Sequence, residues 1–407
     1  MTLIKCFTHS HVDNIAACLQ LMPEKLILMG DGSSMAEPVR RYRRLLQQRG
    51  FPTVICAFDT RGKDFDALCS ALLDIVTKAE SPVIDLTGGD ETAVMAVGAV
   101  LARLETPVRQ QIRVEKFDRA SCCIQDLLRS TCIPRQGQAS LRVEELIALH
   151  GGALYSDSYQ PPAGTSPKDL ETLWQIVAED PKLWNRAITV LSEFERWTET
   201  EDKTEIRVNL RTCKISGFSQ KEDILRKLLD QLHRCGIVAD RSSRDRLYYT
   251  YTSPMARFCT QKAGNVLELK TLLEGRAALE NGDPFFQDCR MGVTIDWDGV
   301  LHDRTLHIHE TRNEIDVVLM HGCTPLFISC KNGHIGDEEL YKLHTVARRF
   351  GGPHAGKMLI ATDLDRKSDA ANSSFSQRAW DMDIFLVTDA AELTPSQWSE
   401  CFKSALL

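Results

Sequence analysis

The chain lacks the signatures of several common classes. It has no GxGxxG, which disfavours a dinucleotide-binding Rossmann domain, and no GxxxxGK[ST], which disfavours a P-loop NTPase. Its fourteen cysteines form no CxxC pair, and only Cys122 and Cys123 are adjacent. Zinc-ligand spacing is therefore missing. No secretory signal is read, so the thiols fit a reducing cytoplasm better than a disulfide framework. No apolar run approaches the ~18–20 residues of a membrane helix. Excess positive charge is lacking too. The formal net charge is −7, which argues against non-specific coating of nucleic acid but permits one local basic groove. No internal repeat is evident.

What is present is an ordinary globular composition, 43% hydrophobic and 26% charged over 407 residues, enough for two or three domains. The first 150 residues alternate strand and helix. Strands are expected at Leu3–Thr8, Lys25–Met29, Thr53–Phe58 and Val83–Leu86. Helices are expected at Val12–Met22, Pro38–Arg49, Phe65–Lys78 and Thr92–Leu104. Repeated βα units imply a mainly parallel sheet with helices on both faces, and such sheets bind ligands beyond the carboxyl ends of their strands. The segments there are Thr8–Asn14, Gly30–Ser34 and Asp85–Glu91, short, polar or glycine-rich, with backbone N–H groups able to approach a phosphate. The string Gly88-Gly89-Asp90-Glu91 sits at a strand-to-helix turn rather than on a hairpin, which rejects a diguanylate cyclase.

The D-x-S segment after the second strand and the L-T-G-G segment after the fourth together resemble the CRISPR-associated Rossmann fold, or CARF domain. That resemblance implies a homodimer binding a cyclic oligoadenylate across its two-fold axis. By motif match the ligand would meet Ser10, His11 and Asn14, then Asp31, Ser33 and Ser34, then Thr87, Gly88, Gly89 and Asp90. The basic run Arg40–Arg44 reads as a solvated helix face.

A hairpin at Gln110–Ile124 and a helix at Val143–His150 would close this first domain (1–152). Ser156–Pro167 reads as a linker. The region 153–255 is then mostly helical, with a tyrosine-rich strand at Arg246–Thr252, and fits a small α+β, winged-helix-like connector. Trp174, Trp184 and Trp197 read as core. His307 and His309 form an HxH best read as two residues on one strand face.

The region 256–407 is organised around Glu310–Lys331. Strands Glu314–Met320 and Leu326–Cys330 flank a turn at His321–Pro325. Alternation puts Glu314, Asp316 and Val318 on one face of the first strand, and Phe327, Ser329 and Lys331 on one face of the second. Pairing would bring Asp316 beside Ser329 and Lys331, a carboxylate and an ammonium suited to metal-assisted phosphodiester cleavage. NEID followed by ISCK resembles the PD-(D/E)xK core of restriction-endonuclease-like nucleases, with Ser329 where the family usually has a carboxylate. The order helix Asn265–Ala278, strand Met291–Trp297, the strand pair, helix Asp337–Phe350 and strand Met358–Ala361 matches that family's αβββαβ core. A helix near Gln377–Trp380 and strand Ile384–Val387 follow.

The two resemblances together imply a type III CRISPR effector: a cyclic oligoadenylate, with cyclic tetra-adenylate favoured, would switch on a Mn²⁺- or Mg²⁺-dependent nuclease acting on DNA or RNA. Asp316 would be the principal metal ligand. Glu268 and Glu314 are the candidates to replace the missing carboxylate, and Ser329 and the Cys330 backbone carbonyl would complete the sphere. Lys331 would orient water or stabilise charge. The rival expectation is a non-catalytic sensor that uses a degenerate nuclease fold and binds DNA through the connector.

Overall fold

The computed structural model describes the chain except residues 120, 134–139, 156–160, 163–166, 203, 301–311, 334, 363–368 and 407, and except the side chains of 369–372. The His307–His309 pair and most of the expected linker lie outside the described residues.

The amino-terminal part runs β1 (Thr2–Cys6), α1 (Ala16–Leu21), β2 (Lys25–Gly30), α2 (Gly32–Gln48), β3 (Val54–Asp59), α3 (Phe65–Lys78), β4 (Pro82–Asp85), α4 (Glu91–Arg103), α5 (Thr106–Gln111), β5 (Arg113–Asp118), β6 (Cys123–Asp126) and β7 (Thr131–Ile133). These seven strands form one sheet in the order β3-β2-β1-β4-β5-β6-β7. The pairs from β3 to β5 are parallel, and β5-β6 and β6-β7 are antiparallel. Strand order reverses between β1 and β4, the place where open α/β sheets admit ligands.

Two helix starts differ from expectation. Residues 11–15 form turns, so α1 begins only at Ala16. α2 begins at Gly32, with Pro38 inside it, because the Asp31 carboxylate accepts from Ser33 N and caps the helix seven residues before the proline. Ser33 and Ser34 therefore belong to a first helical turn. The run Arg40–Arg44 is not wholly solvated either, since Tyr42 is fully buried within it.

Glu115 on β5 is wholly buried. Its Oε2 accepts from Arg113 Nε at 3.0 Å, while its Oε1 has no partner among the described residues. Burial outweighs the arginine, and nearby Asp85 adds to it, pushing the carboxyl up to about 8 from 4.5. The native state thus holds a proton that the unfolded chain releases, so stability should fall as pH rises through that window. Glu115→Gln is expected to remove a slope worth on the order of 3 kcal/mol, read from denaturant midpoints at pH 5 and 8.

The chain continues through α6 (Val143–Leu149), β8 (Ala153–Leu154), α7 (Pro167–Glu179), α8 (Pro181–Glu195), β9 (Glu205–Asn209), α9 (Phe218–Arg234), β10 (Val238–Asp240), β11 (Arg246–Tyr251) and α10 (Pro254–Gln261). The small antiparallel sheet has the order β10-β11-β9. Trp174 and Trp184 are core, whereas Trp197 is 39% exposed, contrary to expectation.

The carboxyl-terminal part comprises α11 (Asn265–Ala277), a minimal β12 (Leu279–Glu280) and β13 (Asp283–Pro284) pair, β14 (Asp288–Asp296), β15 (Arg312–His321), β16 (Thr324–Lys331), α12 (Glu338–Gly351), β17 (Gly356–Ala361), α13 (Asp369–Asp381), β18 (Phe385–Val387) and α14 (Pro395–Ser404). Its sheet has the order β18-β17-β16-β15-β14-β8. The hairpin turn is tighter than expected. His321 pairs with Thr324, leaving Gly322 (φ +57°) and Cys323 as a two-residue connection. Pro325 enters the strand without loss because parallel pairing to β17 starts only at Leu326.

The divisions at 152 and 255 do not coincide with breaks in packing. β8 adds to β14 through Leu154↔Ile295 and Ala153↔Asp296. One face of the carboxyl-terminal sheet shares a core with α7–α11, and the other shares one with α2, α6 and the amino-terminal sheet. Among the described residues, no helix is long and apolar enough to cross a membrane.

Candidate active site and ligand crevice

Pairing of β15 with β16 runs from His321↔Thr324 to Val317↔Ile328 and stops there. Beyond it the Asp316 carboxylate bridges the gap: Oδ2 accepts from Cys330 N at 2.7 Å and from Ser329 Oγ at 3.2 Å. On the other flank, the β14 ladder skips the Gly292–Asp316 pair, and Gly292 has φ +58°. Met291 and Val317 lie in one core, while Val293 and Ile315 lie in the other. The facing of both strands therefore reverses at this point while the register is kept, with no extra residue on either strand of the kind a bulge would insert. Glu314, Asp316 and Val318 do not share one uninterrupted face, which corrects the strict alternation read from sequence.

Lys331 Nζ lies 3.7 Å from Asp316 Oδ2 and 3.1 Å from Glu339 Oε2. Burial works against its ammonium, but Asp316 and then Glu339 outweigh it and raise its pKa. Glu339 is nearer, yet Asp316 is less exposed (17% against 25%) and its field is less screened. Glu268, on α11, has its carboxyl pushed up to about 8 by burial and then by Asp316 and Glu314, against Lys262 and Lys331. Glu314 is exposed; it lines, with Asp316, Ser329, Glu339 and Lys342, a cleft of about 10 Å³, roughly the room one water needs. Cys330 offers only its backbone carbonyl, because burial drives its thiol well above the usual range.

Among the described residues, no group of three or more histidine, cysteine, aspartate or glutamate side chains is arranged to hold a metal ion. Asp316, Glu268 and Glu314 are close enough to repel one another but not grouped as ligands. Their hard oxygen donors nevertheless suit Mg²⁺ or Mn²⁺, and a cation between them would offset both the burial and the lesser repulsion that raise Glu268. Glu339 was missed in the sequence; its only signal is the acidic Asp337-Glu338-Glu339 after β16.

In the amino-terminal sheet, the turns after β1, β2 and β4 meet. A Cβ on Gly30 would stand 2.8 Å from Phe7 Cβ, and one on Gly88 (φ +66°) 2.9 Å from Asp13 Oδ2. Ser10 is partly exposed there. Ser33, Ser34, Gly88 and Asp90 are exposed, and Gly89 is half-buried. Asp31 and Asp90 cap α2 and α4 through Ser33 N and Ala93 N.

Three expected ligand contacts instead hold the crevice together. Asn14 is buried, its Oδ1 accepting from Thr8 N and its Nδ2 donating to Thr8 O and Tyr42 Oη. Thr87 is buried and braced by Asp85 and Phe117 N. His11 bonds Tyr42 Oη at 2.9 Å through Nδ1 and packs edge-on against His150, with ring centroids 5.1 Å apart. Burial, then His150 and Arg41, lowers His11 to about 3, so it is neutral at physiological pH. Arg119, from the turn after β5, pairs with Asp13 and reaches Ser10 Oγ at 3.4 Å. It was not foreseen, although every strand of β1–β5 ends on this side.

No protein-family model matches the chain, and no curated protein matches its sequence. The architecture is that of an α/β protein with a Rossmann-like sheet joined to a second mixed sheet, and solved structures share it over the full length. Protein VC1899 from Vibrio cholerae superposes with a TM-score of 0.71 at 18% identity, covering 100% of this chain and 97% of that one. Can2 from Sulfobacillus thermosulfidooxidans, in complex with cyclic tetra-adenylate, gives 0.64 at 17% identity, with coverage of 100% and 97%. At these identities the likeness establishes the fold.

Proposed function

We propose that this chain is a homodimeric, divalent-metal-dependent nuclease of type III CRISPR defence, switched on by a cyclic oligoadenylate, with cyclic tetra-adenylate the favoured ring. The observation that carries the reading is the Asp316–Lys331 juxtaposition where β15 and β16 part, in a chain whose fold matches Can2 end to end. Asp316, Glu268 and Glu314, with the Cys330 carbonyl, would hold the cation. Bound there, it would supply Lewis-acid stabilisation of the charge that develops on phosphorus oxygens. Lys331 adds a fixed ammonium for the same charge, and Cys330 N–H with Ser329 Oγ holds Asp316 in place. Ser329 is a weak ligand and serves chiefly as that support.

The ring would sit over the carboxyl ends of β1, β2 and β4, against Ser10, Ser33, Ser34 and Gly88–Asp90. Coupling to the far sheet has a packed route: His11 rests on His150, which ends α6, and β8 just beyond adds to β14. A near-complete switch needs ~10⁴-fold preference of the ring for the active arrangement.

Purified protein incubated with labelled DNA and RNA, Mn²⁺ or Mg²⁺, and a panel of ring sizes tests this. Cleavage only with ring and metal is the expected result. Ring binding without cleavage of any substrate would favour the non-catalytic sensor that Ser329 suggests.

A further inference from the structure

A second concave surface lies outside both sites. A groove of about 500 Å³ runs between α8 and the start of α9 and ends on Gly333, two residues past Lys331. α8 turns its apolar residues, among them Trp184, Ile188 and Leu191, into the core. Its opposite face, spaced at helical period, gives the groove Lys182 and Arg186, both exposed. Arg186 has no hydrogen-bond or ion-pair partner among the described residues. Lys221, on the α9 wall, pairs across the groove with Glu193 of α8 at 2.6 Å, so those two charges cancel and Arg186 is left as a positive charge open to a ligand.

The floor is polar and tied to the catalytic elements. Asn185 Nδ2 donates to Asn332 O at 2.5 Å, while its Oδ1 is buried without a partner. Asn332 Nδ2 in turn donates to Ala263 O at 2.8 Å, just before α11. The groove thus abuts both β16, which carries Lys331, and α11, which carries Glu268. At its other wall, the 17-residue α9 opens on Gly217 (φ +66°) with no side-chain cap, and Gly217, Gln220 and Lys221 line the groove.

We infer that this groove is the track for a single-stranded polynucleotide, gripping its phosphodiester backbone on the way to Asp316 and Lys331. The inference rests on the nuclease reading for its direction. Cations one helical turn apart on a single wall suit one backbone; a duplex would need them across two. Among the described residues, no aromatic side chain lines the groove, so bases are not stacked and recognition is independent of sequence.

The test uses the full chain, cyclic tetra-adenylate, Mn²⁺ and labelled single-stranded DNA, with RNA and duplex DNA as further arms. Lys182→Glu/Arg186→Glu should raise KM by about 30-fold with kcat within about twofold. The salt dependence of log kcat/KM should flatten by about 1.4, two phosphate contacts at ~0.7 each. Arg186→Gln, a milder change, should raise KM by about fivefold. Unchanged KM in the double reversal overturns the proposal. So does an equal rise from the charge-matched pair Lys25→Glu/Lys78→Glu at the opposite end of the amino-terminal sheet, or a KM lower for duplex than for single strands. If the native chain cleaves nothing, the nuclease reading fails, and anisotropy decides the groove separately: weaker oligonucleotide binding by the double reversal supports it, and equal binding overturns it.

Discussion

Lys331→Ala is expected to lower ring-dependent cleavage by about 10³-fold, and Asp316→Ala by at least as much, while ring binding is unchanged. The two losses arise differently. Lys331 faces the Asp316 carboxylate from the strand end, so its removal strips charge stabilisation. Asp316 also carries the local geometry: without it, Cys330 N and Ser329 Oγ lose their common acceptor and the gap between β15 and β16 has nothing to close it. Lys331→Ala additionally frees Glu339. A Glu339→Gln variant, which keeps shape and removes that competing charge, should retain cleavage within about tenfold of the native chain. Cleavage rates with Mn²⁺ and saturating ring, set beside ring affinity measured by calorimetry, check all three. Full activity in Lys331→Ala would remove the catalytic assignment and leave the ring site untouched.

The sequence made this pair legible because a short turn leaves little freedom in register. With a hydrophobic strand on each side of Gly322, an acid near the start of one strand must face a lysine at the end of the other. What periodicity missed is this reversal of facing. A glycine at position 292 inside an apolar strand is the available sign, but its positive φ and the reversal of both strands around Asp316 are products of packing two unlike cores against one sheet. Glu339 stayed hidden for a related reason. Acids in a first helical turn are read as partners of the helix dipole, and only the tertiary placement of α12 against β16 turns one of them toward Lys331.

The amino-terminal sheet was readable as repeated βα units. Its helix starts were not, because Pro38 outweighed the Asp31 cap in a local reading although a proline can sit inside a helix when packing demands it. The seam between domains was not readable at all. Ala153 and Leu154 carry no strand signal by themselves and become a strand only by completing the edge of β14. That addition makes the residues just after α6 part of the carboxyl-terminal sheet, which is where a ring-induced movement of α6 would have to be felt.

Asp85→Ala is expected to destabilise the amino-terminal sheet by about 3–5 kcal/mol, the cost of leaving a buried ammonium unpaired. Lys5 and Asp85 are 1% and 0% exposed, with Nζ and Oδ2 at 2.8 Å. Lys5 Nζ also donates to Thr87 O at 2.6 Å, and Asp85 Oδ1 accepts from Thr87 N at 2.9 Å and from its hydroxyl. The pair therefore staples β1 to β4 and fixes the turn that leads into Gly88 and Gly89. Lys5→Met/Asp85→Leu should recover part of the loss, because neither charge is left buried alone, though Thr87 N–H and C=O lose their partners. The effect has to be read locally. All six tryptophans lie at position 174 or beyond, outside the amino-terminal sheet, so their fluorescence should barely move at low denaturant. Amide exchange in β1, β4 and β5 should accelerate in Asp85→Ala and partly recover in the double variant, and ring affinity should fall with it. Exchange rates in β4 equal to those of the native chain would show that Thr87 is held without the ion pair and that the crevice is shaped by its glycines alone.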